Sequence, residues 1–209
     1  MAVKPLPQAI LDQAGLWHAR NGAQRVATIA TGYPELDRQL PGGGWPLGAL
    51  TELIVGQYGI GELRLFLPAL SALSRRHDRR LMWIAPPHEP YAPALAAAGL
   101  DLSRHLVVRP EQSRDVLWAA EQGLRSGYCA AVLLWTERLS DREARRLQLA
   151  AESSAAWGLI FRPPAAAREH SPAALRLHMS VGSSGRRLQI LKARGGQPAV
   201  LDGLHWLAH

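Results

Sequence analysis

Cysteine is almost missing from this chain. Cys129 stands alone among 209 residues, which excludes an intramolecular disulfide and a thiolate cluster for zinc, so a reducing cytoplasm fits better than secretion. Lysine is nearly absent too: only Lys4 and Lys192 occur, so 22 of the 24 basic residues are arginine. The planar guanidinium fork suits phosphate and carboxylate, although arginine codons of a GC-rich genome produce the same bias without any binding site. No apolar run follows Lys4 in the first ten residues, so neither a signal peptide nor a membrane span is expected. Internal repeats and low-complexity tracts are lacking beyond short Ala-rich stretches at 94–98 and 165–167.

What remains is ordinary globular material. At about 100 to 200 residues per domain, the length allows one domain with a terminal appendage and excludes two large ones. A hydrophobic fraction of 47% with 20% charged residues supports a real core. The net charge of +7 is unevenly placed. Between Arg142 and Leu201 stand nine arginines and Lys192 against Glu143, Glu152 and Glu169; the rest of the chain is balanced.

Residues 1–30 read as a helical appendage, with Ile10, Ala14 and Trp17 at helical spacing before Asn21-Gly22. A domain over residues 31–209 follows. Pro34 opens a short helix that Pro41-Gly-Gly-Gly ends. Short, unalternating apolar runs at Leu50–Val55, Leu81–Ala85, His105–Val108, Cys129–Trp135 and Trp157–Phe161 alternate with helical patterns, which predicts an α/β fold with a mainly parallel central sheet and crossover helices. One stripe, Leu63, Phe66, Leu67, Leu70 and Leu73, predicts a helix that Pro68 kinks. Ser140-Asp-Arg-Glu143 is a capping box, so a helix should begin at Asp141. From Leu175 the period becomes two, and Gly182-Ser-Ser-Gly185 turns the chain, predicting an antiparallel hairpin with one apolar and one basic face that carries Arg176 and Arg187.

The segment Gly56-Gln-Tyr-Gly-Ile-Gly61-Glu-Leu63 follows the first long strand and precedes a helix, the context in which glycine backbone N–H groups cradle phosphate. Glu62 and Leu63 stand where the P-loop needs lysine and a hydroxyl residue. One like-charge pair at about 4 Å costs about 4 kcal/mol at an effective dielectric of 20, so a carboxylate here opposes a triphosphate. An ordinary glycine turn is the competing reading of this segment alone.

Thr31-Gly-Tyr-Pro-Glu-Leu-Asp37, Leu40-Pro-Gly-Gly-Gly-Trp-Pro-Leu-Gly48 and Trp83-Ile-Ala-Pro-Pro-His-Glu-Pro-Tyr91 resemble the entry and core motifs of RecA-type ATPases. Gly61-Glu-Leu-Arg64, Leu117-Trp-Ala-Ala-Glu-Gln122, Arg145-Arg-Leu-Gln-Leu-Ala-Ala151 and Ser171-Pro-Ala-Ala-Leu-Arg176 are similar to the ImuA family of damage-inducible mutagenesis operons, whose members are sometimes called SulA-like. The resemblance implies a RecA-like P-loop-type core in which Gly56, Gly59, Gly61, Glu62 and Leu63 form a degenerate loop without nucleotide. It also places Pro87 and Trp135 where the water-activating and metal-side acids would stand, so no catalysis, metal or cofactor is expected; Glu89 is the nearest substitute base. The implied role is an adaptor in SOS-induced translesion DNA synthesis. Its partners would be an ImuB-like inactive Y-family polymerase homologue, an error-prone DnaE-type polymerase, RecA and single-stranded DNA, with nucleoid association after damage. The alternative is a SulA-like division inhibitor that binds FtsZ.

Three readings of the basic segment stay open. Arg142, Arg145 and Arg146 on the capped helix, with Arg186, Arg187, Lys192 and Arg194 around the hairpin, form a solvated face, a phosphate-binding surface for DNA, or a dock for an acidic protein. Trp83, Trp135 and Trp157 fall in strands and read as core, whereas Trp45 and Trp206 read as exposed anchors for a partner. His88, His170 and Cys129 carry no metal-ligand spacing, and Ser183 and Ser184 read as turn residues.

Overall fold

The computed structural model describes residues 27–76, 78–182 and 185–202. The helix expected around Ile10 to Trp17 lies outside them, as do Trp206, Ser183 and Ser184. In chain order the elements are β1 (Thr28–Ile29), α1 (Pro34–Asp37), β2 (Trp45–Pro46), β3 (Leu50–Val55), α2 (Leu67–Arg76), β4 (Arg80–Ile84), α3 (Ala92–Ala97), β5 (His105–Val108), α4 (Ser113–Arg125), β6 (Cys129–Trp135), α5 (Asp141–Ser154), β7 (Trp157–Arg162), β8 (Leu175–Gly182), β9 (Gly185–Ala193) and β10 (Ala199–Leu201).

Eight strands form one mixed sheet in the order β10-β9-β8-β3-β7-β6-β4-β5. The six from β8 to β5 pair in parallel, and β9 and β10 add antiparallel. Every residue of β3, β6 and β7 is buried, because helices or turns cover both sheet faces; that is why their sequences run apolar without alternation. One face carries a row of rings. Trp45 stacks on Trp157 (5.8 Å) and tilts against Phe66 (5.0 Å), Phe66 meets Phe161 edge-on (6.0 Å), Phe161 stacks on Trp135 (4.4 Å), and Trp135 on Trp83 (5.7 Å). The α2 residues Ala69, Leu70 and Leu73 seal this layer. On the other face Ala119, Ala120 and Leu124 of α4 and Ala144, Leu147, Ala150 and Ala151 of α5 pack against Leu50, Val132, Leu134 and Ile160. Small residues let the two helices lie close to the sheet.

The expected RecA-like P-loop-type core is corrected by this arrangement. The sheet is mixed, and among the described residues only α2, α4 and α5 reach ten residues. The helix that should spring from the glycine loop does not: residues 62–66 are turns, and α2 starts at Leu67. Pro68 therefore stands in the first turn of α2, where its missing N–H costs nothing, instead of kinking a longer helix. A helix N-terminus is thereby withdrawn from the loop. The α5 expectation fares better: Ser140 Oγ accepts from the Glu143 backbone N–H while Glu143 accepts from the Ser140 backbone N–H, and the helix begins at Asp141.

Candidate functional site

The loop that follows β3 is closed by its own side chains. Gly59 (φ +87°) and Gly61 (φ +99°) hold left-handed backbone that other residues rarely adopt, which turns the Gly59 N–H inward. Both carboxylate oxygens of Glu62 accept from that N–H at 3.0 Å, and Glu62 is buried. An anion already occupies the cradle, and it belongs to the chain. From the other side Arg186 of β9 donates its Nε–H to the Ile60 carbonyl, and a Cβ on Gly61 would sit 3.1 Å from that nitrogen. Glycine at 61 thus makes room for the guanidinium. Tyr58 is half-buried beside this loop, and burial, with the Glu62 and Glu137 charges, pushes its phenol above the ordinary range.

A second charged cluster lies beneath the turn Pro164–Arg168. Glu52, in the middle of β3, is fully buried and accepts from Arg176 Nε (2.8 Å) and Ser171 Oγ (2.5 Å). Arg176 also donates to the carbonyls of Glu169 (2.9 Å) and Ala166 (2.6 Å), while buried Arg162 pairs with Glu169 (2.8 Å). Lys192 donates to the Ser171 carbonyl at 2.7 Å; burial, then Arg194 and Arg176, hold its ammonium below the usual lysine range. Arg176 was expected on a basic face of the hairpin. Correctly placed, it is an internal tie between β3, β8 and the crossover that joins β7 to β8. The sequence signal existed: a glutamate inside the run Leu50-Thr-Glu-Leu-Ile-Val55 demands a buried cation.

The remaining expected positions fall as follows. Pro87 is exposed in the loop after β4, and Glu89 beside it pairs with Arg109 at 2.7 Å. Trp135 ends β6 inside the ring stack. Among the described residues no group of three or more His, Cys, Asp or Glu is placed to hold a metal ion, and no helix is long and apolar enough to cross a membrane. Trp45 is corrected from an exposed anchor to a core ring with no exposure.

Comparison with known proteins bears on the whole of this. A sequence model of the family described as "Cell division inhibitor SulA" matches residues 48–158, more than half of the chain. The chain belongs to the SulA family. It is 33% identical over 113 residues to the cell division inhibitor SulA of Edwardsiella piscicida, covering 52% of this chain and 67% of that protein. Protein ImuA of Caulobacter vibrioides is 28% identical over 181 residues, covering 84% of this chain and 73% of that protein. Among solved structures, SulA from Pseudomonas aeruginosa matches with a TM-score of 0.46 and 30% identity, covering 54% of this chain and 97% of that one. SulA-family membership replaces the expected RecA-like P-loop class, and the matched segment spans the closed loop, α4 and α5.

The SulA-matched segment carries one group of basic candidates and leaves the other outside. Arg142 and Arg145 are exposed on α5, Arg145 pairing with Asp141 at 3.0 Å; Arg146 pairs with Glu121 of α4. Around the hairpin Arg186 is half-buried on the loop, Arg187 pairs with Asp202 (3.2 Å), and Arg194 reaches the Pro172 carbonyl (3.4 Å) and Glu152 (4.0 Å). The two groups adjoin where Arg194 meets Glu152 of α5. Sequence reading missed Trp118 on α4 and Leu149 on α5, which are each 63% exposed. Helical spacing could have found Trp118, which lies across α4 from the buried Ala120 and Leu124.

Proposed function

We propose that this SulA-family protein is a non-catalytic adaptor of damage-induced mutagenesis. It recruits or regulates an ImuB-like inactive Y-family polymerase homologue and an error-prone DnaE-type polymerase, with RecA and single-stranded or primed DNA as further partners, in the cytoplasm and at the damaged nucleoid. The observation that carries this reading is the similarity to ImuA, which extends over 84% of the chain, whereas the SulA model stops at residue 158. Chemistry supports the non-catalytic part. In this loop the Gly59 N–H is already bonded to Glu62 and Arg186 is laid on the Ile60 carbonyl, so a carboxylate stands where a triphosphate would need a cation. The test is a pull-down from damaged cells with mass spectrometry: recovery of the two polymerase-related proteins supports the adaptor, and their absence, with deletion leaving damage-induced mutation unchanged, refutes it.

A second reading has its own support in the SulA relatives, named as cell division inhibitors. Under it the protein binds FtsZ. Expression in undamaged cells separates the two: filaments, with FtsZ captured and no polymerase-related protein, favour division inhibition.

A further inference from the structure

The sheet ends on β5, and this edge is open. Among the described residues β5 pairs with β4 alone, and His105-Leu-Val-Val108 carries none of the devices that keep an edge from pairing again: no lysine, no acid, no proline and no bulge. Leu106 is 41% exposed and Val107 37%, whereas β3, β6 and β7 are buried throughout. The Val108 carbonyl accepts from the Ala85 N–H at the end of β4. Both polar groups of a strand residue point to one side and the sides alternate, so Leu106 and Val108 give their backbone to β4 while His105 and Val107 turn theirs outward. The flanking arginines are drawn aside, Arg104 onto Asp78 (3.1 Å) and Asp101 (3.0 Å), and Arg109 onto Glu89 (2.7 Å) and the Pro86 carbonyl (3.1 Å).

We propose that β5 is a self-pairing edge: two copies of this chain join antiparallel through it, about a two-fold axis at Leu106, and carry one sheet across both. An axis normal to the sheet sets one residue of the strand against its own copy. With Leu106 there, Leu106 opposes Leu106, and His105 opposes Val107 on either side. The outward groups of His105 and Val107 then form the hydrogen-bonded pairs, and the leucines form the close, non-bonded pair between them. Because side chains alternate, each face of the ladder closes on apolar contact. Leu106 meets its copy on the side where Val108 packs towards α4, and Val107 of one copy meets His105 of the other, whose ring stacks on Trp83 at 5.7 Å. Charge favours a second copy as the occupant. Where the chain enters β4 and β5 stand Arg75, Arg79, Arg80 and Arg104 against Asp78 and Asp101; where it leaves them stand Glu89 and Glu111 against Arg109, and the next two charges, Arg114 and Asp115, cancel. One end of the edge is thus net positive and the other net negative. Antiparallel self-pairing sets each positive end against a negative one, twice.

The experiment is analytical ultracentrifugation of the full chain. A monomer–dimer equilibrium with a micromolar Kd is expected, as suits a short ladder. Val107→Pro removes an outward N–H that β4 does not use, a place where an edge strand tolerates proline, and should weaken the dimer about ten-fold or more while circular dichroism shows the variant folded. Leu106→Lys and Leu106→Glu each set a charge against its own copy on the axis, so either alone should be monomeric, and an equimolar mixture should restore the dimer. Only a strand that meets itself at Leu106 gives that pattern. A native chain still monomeric at about 200 µM overturns the proposal, and so does a dimer that Val107→Pro leaves unchanged or a Lys–Glu mixture that stays monomeric. Slow hydrogen exchange of the Val107 amide at every concentration, in a monomer, also overturns it, because another part of the same chain then covers the edge. The inference goes beyond the adaptor reading, and each can fail alone. If deletion abolishes damage-induced mutation while the native chain stays monomeric, the adaptor stands and the edge falls; if the chain dimerises through β5 and deletion has no mutational effect, the edge stands and the adaptor falls.

Discussion

Replacing Glu62 by lysine writes the P-loop residue back into the glycine loop, and the geometry says that this should break the loop without restoring a nucleotide site. In the native loop the carboxylate takes the Gly59 N–H on both oxygens at 3.0 Å in a buried setting. A hydrogen bond to a charged group contributes about 1.5–3 kcal/mol. Glu62→Lys removes it, leaves the Gly59 N–H facing a cation, and adds repulsion from Arg186, so about 3 kcal/mol is the expected loss. For a domain near this size 1 kcal/mol moves the melting temperature by about 2–4 °C, which gives a drop of about 6–12 °C. Glu62→Gln keeps an acceptor oxygen and should lose about 1 kcal/mol. Thermal unfolding of the three proteins, with and without magnesium and ATP, reads both halves of the prediction. A Glu62→Lys protein as stable as the native one, or one whose melting temperature rises with ATP, would refute the idea that Glu62 occupies the cradle.

The buried cluster makes a sharper stability prediction. Arg176→Met leaves Glu52 charged and enclosed and should cost about 3–5 kcal/mol in urea unfolding, whereas Glu52→Leu with Arg176→Met should recover most of that; equal losses in single and double variants would deny the coupling. Trp45→Ala should cost about 3–5 kcal/mol, as for a core ring, and soluble protein with native stability would return Trp45 to the surface. Ser140→Ala should cost about 1 kcal/mol. The Ser140 hydroxyl, with its backbone N–H, holds the Glu143 carboxyl below the usual range. That stabilisation is complete above the unfolded carboxylate pKa and is lost as pH falls through the lower folded value, so Ser140→Ala should raise the Glu143 midpoint seen by NMR and flatten the acid side of the stability profile. Burial raises the Cys129 thiol, and iodoacetamide should label it far more slowly in the folded protein than after unfolding.

Strand positions were legible where burial on both faces writes itself as unbroken apolar runs, and β3 and β6 begin and end where those runs do; the edge strand β5 also matches its run, although Leu106 and Val107 are exposed. The capping box was legible because its two hydrogen bonds need those two residues at that spacing. The fold class was not legible from the glycine loop. Glycine spacing reports a backbone able to turn, and the identity of Glu62 decides what fills the turn, but nothing in the local sequence says that α2 will wait until Leu67. Trp45 failed for a related reason: flanking Gly44 and Pro46 suggest a loop, yet the ring slides under Phe66 and Trp157 through contacts distant in sequence. Trp118 was legible in principle, because helical spacing sets it opposite the buried Ala120 and Leu124 of α4.

The surplus of positive charge takes a different meaning once each cation is placed. Of the ten basic residues between Arg142 and Leu201, Arg162, Arg176, Arg186 and Lys192 turn inward onto carboxylates or carbonyls. They organise the loop and the crossover and are unavailable to bind anything. Arg145, Arg146, Arg187 and Arg194 face outward, and each is paired with an acid, Asp141, Glu121, Asp202 and Glu152 in turn. Eight of the ten are thereby committed to the chain's own carboxylates and carbonyls, so the surplus of arginine reports internal ties before it reports a partner.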